Sequence, residues 1–351
     1  MLNISLLKKI CEIPGAPGFE NKIRSFLLAE VEGLVDDVRI DAMGNLIAIK
    51  KSKSKKKLMV TAHMDEISFV VTHIDDKGFI RFSPLGGFDP KTLTAQRVLI
   101  HGTRDIIGVM GIKPVHTMSA AEKAKAPALS DYFIDTGLPA DDVKRYINVG
   151  DPITRERELI EMGDCLNSKS LDNRVSVYIL LEVLRKLKNK SVPFDLYACF
   201  TVQEEVGIRG AIAAASGINP DFGINLDVTV AYDTPGAPAH EMVTELGKGA
   251  AIKVLDGSII CDQRMVKYMK RIAKDKRITH QMEVLPAGGT DTAAMQRFAK
   301  GGSIAGAISI PTRYLHQVIE NVHKQDVEDC IFLLYHCIRQ MSSHNWDFER
   351  L

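Results

Sequence analysis

Two adjacent glutamates, Glu204 and Glu205, follow the apolar run LYACFTV (196–202) and precede a glycine-containing stretch. Taking an unpaired carboxylate out of water costs several kcal/mol, so acids at the end of a buried run need a partner or a task. Other ligand-type side chains hold comparable positions. His63 and Asp65 come after LMVTA, Asp227 after GINL and His316 after AGAISIPTRYL, while Asp172 opens the helical pattern at LDNRV. Imidazoles mixed with carboxylates, without thiolates, suit zinc, cobalt or manganese in an open catalytic site better than a closed structural zinc. A pair of ions would need one shared carboxylate, with a histidine and an acid on either side, at a spacing of about 3.5–4 Å. Each residue alone also has a structural reading: a half-buried histidine, a helix cap at Asp172, a turn start at Asp227. Spacing by itself leaves both readings open.

In open α/β sheets the ligand crevice lies beyond the carboxyl ends of the strands, so these residues need strands to deliver them. Residues 20–35 show apolar positions at helical spacing, followed by the alternating VRIDAMGNLIAIK and the buried run LMVTA, which predicts a helix, a hairpin and a strand. If that last strand continues, His63 and Asp65 share a face. From VSVYILLEVLRKL onward helix and strand alternate: DLYACFTV, GAIAAAS, DFGINLDV, VKYMKRIAK, HQMEVL, TAAMQRFA, AGAISI and DVEDCIFLLYHCIRQM. Such alternation predicts a mixed or mostly parallel sheet flanked by helices. Between them, residues 69–161 carry short strand-like runs (FVVTHI, GFIRFS, RVLIHGT, IIGVMGI, YINVGD) and weak helix signals, the pattern of a small β-barrel or sandwich. The reading is an α/β domain of residues 1–68 and 162–351, interrupted by an inserted barrel of residues 69–161.

Composition excludes other classes. Lys plus Arg number 45 against 44 Asp plus Glu, a net charge of +1, which argues against general attraction to nucleic acid or acidic membrane. The basic cluster KKSKSKKK (50–57) has no interleaved aromatics and reads as a solvated hairpin connection. No apolar run approaches the roughly 20 residues a membrane span needs. Six scattered cysteines, without a C-x-x-C pair, read as buried thiols of a reducing compartment, so a cytoplasmic protein is expected. Neither a P-loop pattern nor a dinucleotide-binding glycine fingerprint is present.

The strings AHMDEI, NSKSLDNRVS, VQEEVGIRGA, NLDVTVAYDTPG, GGTDT and ISIPTRYLH, taken in order, resemble the motifs of the metallo-aminopeptidases that include glutamyl, deblocking and tetrahedral enzymes. Some members of that family carry an endoglucanase label. The resemblance runs from PGAPGFE to the final helix. It implies a zinc-peptidase-like α/β sandwich interrupted by a PDZ-like β-barrel, and two divalent metal ions, zinc first, with cobalt or manganese as alternatives. By motif position His63 and Asp227 would bind one ion, Glu205 and His316 the other, and Asp172 both. Glu204 would be the general base and Asp65 the acid that orients His63. The implied activity is removal of N-terminal residues from peptides with a free amino terminus. The implied assembly is a homo-oligomer, a tetrahedral dodecamer in some relatives.

Three departures stand out. Ser68 replaces a frequent glycine, Val230 a frequent histidine, and Gln317-Val318 the usual Ser-Pro after His316, which frees backbone that proline would restrict. Two rival readings are a glycoside hydrolase and a non-catalytic peptide-binding or assembly protein of the same fold. One tryptophan and 6% aromatic residues equip a sugar cleft poorly.

Overall fold

The apolar run after Pro193 forms the strand Asp195–Thr201, in which every residue from Leu196 on is buried, as in a strand covered on both faces. Its neighbours are Lys57–His63, parallel, and Leu46–Lys50, antiparallel. Lys57–His63 pairs with Phe222–Val230, which runs parallel to Ile304–Arg313. The computed structural model, which describes residues 1–348, extends these into an 11-stranded mixed sheet. Alternate side chains of one strand enter different cores. Leu196, Ala198 and Phe200 belong to the core that also takes in the helices Leu171–Leu187 and Lys324–Gln340, whereas Tyr197 and Cys199 join Ala214, Ala215 and Met295 from the helices Arg209–Ile218 and Asp291–Phe298. That period-two division is what places helices on both faces.

The chain leaves the sheet after His63, and six strands from Ser68–Ile74 to Pro152–Arg155 close an antiparallel barrel. The barrel has its own interior, with Phe69, Val71, Val98, Ile100, Ile134 and Ile153 buried. The α/β sandwich with a mixed sheet and a small β-barrel is therefore the fold observed. No helix among the described residues is long and apolar enough to cross a membrane.

Several local expectations need correction. The lysine cluster does not connect a hairpin: Asp195–Thr201 lies between Leu46–Lys50 and Lys57–His63, so the segment crosses over a strand, with Lys51, Lys53, Lys55 and Lys56 in solvent. Long-range parallel pairing leaves no trace in a local window. YINVGD is not a strand. It begins with the last residue of the helix Ala140–Tyr146, whose Asp141 and Asp142 stand in the first turn and Lys144 and Arg145 in the last, each favoured by the helix dipole. Lys57–His63 ends at His63, so Asp65 stands in irregular backbone instead of on a continued strand. Asp172 and Asn173 have non-helical dihedrals, and the regular helix begins only after them.

Candidate active site

Five segments deliver carboxylates and imidazoles to one cavity. His63 ends its strand, Glu204 and Glu205 follow Asp195–Thr201, Asp227 lies inside Phe222–Val230, and Asp172 precedes the long helix. His316 stands in a tight loop after Ile304–Arg313, with a left-handed φ of 58°. His63 Nε2 lies 3.2 Å from Asp172 Oδ1, 3.8 Å from Asp227 Oδ1 and 3.9 Å from Glu204 Oε2. His316 Nε2 lies 3.2 Å from Asp172 Oδ2 and 3.6 Å from Glu205 Oε2. The two oxygens of Asp172 thus face two different histidines. Among the described residues, two groups could hold a metal ion, His63 with Asp172 and Asp227, and Asp172 with Glu205 and His316.

The electrostatics support a cation here. Asp172 Oδ1 and Glu205 Oε1 are buried without a hydrogen-bond partner, a costly state for an acid unless something else neutralises it. Burial and the Asp172 charge push Glu205 up to about 8, and burial with the Asp172 and Asp291 charges pushes Asp227 up to about 7. Burial, Asp227 and Glu205 push Glu204 well above the usual carboxylate range. Asp172 moves the other way: burial opposes its ionisation, but the neighbouring imidazoles of His316 and His63 hold its carboxyl low. Burial would lower His316, yet Asp172 and Glu205 raise it to about 9. Four acids and two imidazoles crowded without a cation share protons; an ion would replace those protons. The donor set is of nitrogen and carboxylate oxygen, as open catalytic sites prefer.

Asp65 is wholly buried beneath this cluster. His63 Nδ1 lies 3.2 Å from its backbone carbonyl and 3.5 Å from its carboxylate. The carboxylate also accepts the backbone N–H groups of Glu204 and Glu205. Glu20 supports the same turn by accepting the N–H of Gln203, which has a left-handed φ of 53°.

Sequence reasoning overlooked some participants. Asp291 is buried, accepts the Thr201 hydroxyl at 2.6 Å, and is raised to about 6, chiefly by burial. It opens the helix Asp291–Phe298, where an acid in the first turn is ordinary and gives no local sign of a further role. Glu320, also buried, accepts the backbone N–H of Asp172 at 2.8 Å. No local pattern marks it, because the pairing joins positions 148 residues apart. A cavity of about 550 Å³ extends from the metal-type ligands past Gly288, Gly289 and Thr290 to Lys253 and Asp256, with Ile208, Leu285 and Leu315 as apolar wall. The glycines of GGTDT thus form part of its wall. Lys253 is 2% exposed and bonded to Glu283 at 2.6 Å. Val230 lines the same cavity.

A large mixed sheet opened by an antiparallel barrel, with an acid- and imidazole-lined cavity at its strand ends, is the architecture of a metallo-aminopeptidase. The chain belongs to the M42 glutamyl aminopeptidase family, whose pattern matches residues 44–333. It is 34% identical to the lysyl aminopeptidase of Pyrococcus furiosus, over 95% of this chain and 96% of that protein. Among solved structures it is similar to an aminopeptidase from Desulfurococcus kamchatkensis (37% identity, 96% of this chain and 94% of that one, TM-score 0.91). It also resembles the Pyrococcus horikoshii TET1 peptidase, which can assemble into a tetrahedron or a large octahedral shell (29% identity, 95% and 98%, TM-score 0.86). The chain is accordingly an aminopeptidase, of a family whose members depend on metal.

Proposed function

We propose that the protein hydrolyses the N-terminal peptide bond of peptides at a dinuclear centre in which Asp172 serves both ions. The single observation that carries this reading is the placement of the two Asp172 oxygens, each 3.2 Å from a different histidine. His63 and Asp227 would complete one ligand group, Glu205 and His316 the other. When bound, the two cations, zinc by preference, would polarise the scissile carbonyl and lower the pKa of a water.

The protein's own groups do the rest. Glu204 takes the proton of the attacking water and returns it to the leaving amine. Burial and its negative neighbours raise its carboxyl, the direction a proton acceptor near neutral pH requires. Asp65 fixes the His63 ring and the backbone of both glutamates. The substrate's free amino group sits against the carboxylates, and its first side chain enters the cavity toward Lys253 and Asp256.

The division of labour follows the chain: residues 1–68 and 162–351 form the catalytic unit and residues 69–161 an inserted one. The tetrahedral assembly of the TET1 peptidase supports a homo-oligomer, and six free cysteines support a cytoplasmic setting. Glu204→Gln tests the mechanism. Turnover of an aminoacyl-p-nitroanilide should fall by at least about 10²-fold with metal content unchanged; equal turnover would remove Glu204 as the base.

A further inference from the structure

The last barrel strand, Pro152–Arg155, ends in an arginine whose side chain is 3% exposed. Arg155 Nη1 donates to the backbone carbonyl of Gln317 at 2.5 Å, the residue next to His316. Its Nη2 lies 3.7 Å from the Glu66 carboxylate and its guanidinium 5.8 Å from the centre of the Phe88 ring. Among the described residues, Nε and Nη2 have no hydrogen-bond partner. Glu66 is itself held by Lys169 at 2.6 Å and directly follows Asp65. The guanidinium is therefore packed from several sides, and the hydrogen bond it spends is on the loop of His316.

Among the described residues, few other hydrogen bonds hold that loop. Tyr314 and His316 both have left-handed φ, Tyr314 and Ile319 are exposed, and the His316 side chain is 43% exposed. Within the turn, the Gln317 N–H donates to the Tyr314 carbonyl. Neither Gln317 nor Val318 restricts φ as a proline would. Leu315 packs against the core of the large sheet, and two contacts come from the barrel: Val318 packs against its interior, and Gly87 approaches so closely that a Cβ there would lie 3.3 Å from His316 Nδ1. His63 and Asp227, by contrast, stand on adjoining strands of the large sheet.

We infer that Arg155 is the positioning residue for His316: through the Gln317 carbonyl the inserted barrel sets the geometry of the ligand group Asp172, Glu205 and His316. The barrel thereby tunes one of two cation sites and leaves the other to the sheet. This rests on His316 being a metal ligand.

The test is calorimetric titration of zinc into the chelator-stripped full chain, comparing wild type with Arg155→Met and Arg155→Lys. Wild type should bind two ions. Arg155→Met should bind the first with unchanged affinity and the second about ten- to hundredfold more weakly, the range for outer partners of metal ligands. Arg155→Lys, which keeps a charged donor without the planar reach, should fall between. Met110→Ala, in the barrel interior on the strand Asp105–Gly111, should loosen the barrel and leave both affinities unchanged. Equal second-site affinity in Arg155→Met, or in Arg155→Lys where the methionine variant does not fold, overturns the inference alone. So does equal weakening of both sites, or a Met110→Ala effect as large as that of Arg155→Met. A wild type that takes one ion removes the dinuclear reading and this inference with it.

Discussion

Asp65 Oδ1 accepts the backbone N–H of Glu204 at 3.0 Å. The second oxygen takes the N–H of Glu205 at 3.1 Å, and the carboxylate also lies 3.5 Å from His63 Nδ1. One buried acid therefore sets the aim of three side chains in the proposed centre. In Asp65→Asn, an amide NH₂ would meet a backbone N–H donor at one of these contacts. Cation affinity should fall about 10–100-fold, with kcat reduced more than KM. Titration calorimetry and steady-state kinetics on the same preparation check this; wild-type values in both would show that Asp65 aims nothing.

Asp172 and Glu205 are expected to behave differently. Asp172→Asn weakens an acid shared by two histidines, so both ions should bind more weakly. Glu205→Gln should spare the ion held by His63 and Asp227. Bound zinc per chain, measured after gel filtration, would separate the two outcomes, and identical losses in both variants would contradict a shared ligand.

The pH dependence of the cation-free chain has a definite sign. Burial and acidic neighbours raise Glu205 from its ordinary 4.5 to about 8, and Asp172 with Glu205 raises His316 from 6.5 to about 9 against burial. A group with a raised folded-state pKa binds more protons folded than unfolded between the two values, so its stabilising effect is lost as pH rises through that window. Asp172 is shifted downward, and its contribution is already complete above its ordinary 3.8. The melting temperature of the stripped chain should thus decline from about pH 5 to about pH 9, and zinc should raise it most at the alkaline end. A zinc-induced shift that shrinks with rising pH would oppose this.

Much of this was legible in the sequence, for physical reasons that differ by region. The alternation of LYACFTV and GINLDV with helical stretches foretells a two-faced sheet because a short continuous apolar run, buried on both faces, is a local signal. The residues His63, Asp172, Glu205, Asp227 and His316 stood out because the ordered motifs joined metal-type donors that each, taken alone, had a structural reading as well. Glu320, Lys253 and Arg155 did not stand out. Each acts through a partner brought near by the fold: Glu320 on the Asp172 N–H, Lys253 on Glu283, Arg155 on the Gln317 carbonyl. The crossing of the lysine segment over Asp195–Thr201 was hidden for the same reason.

Lys253 offers a stability test at the cavity floor. It lies 2.6 Å from Glu283 and 3.3 Å from Asp256, all three buried. Lys253→Met leaves both acids without their cation and should destabilise the fold by about 3–5 kcal/mol. Combining it with Glu283→Leu should recover much of that loss, since an apolar pair can replace a buried ion pair at little cost. Urea unfolding of the single and double variants decides; additive losses would contradict the coupling.

The most direct measurement is anomalous X-ray scattering at the zinc edge from crystals soaked in zinc. Two peaks about 3.5–4 Å apart are expected, one against His63 and Asp227, one against Glu205 and His316, with Asp172 between them. A single peak, or peaks away from these five side chains, would contradict the dinuclear centre.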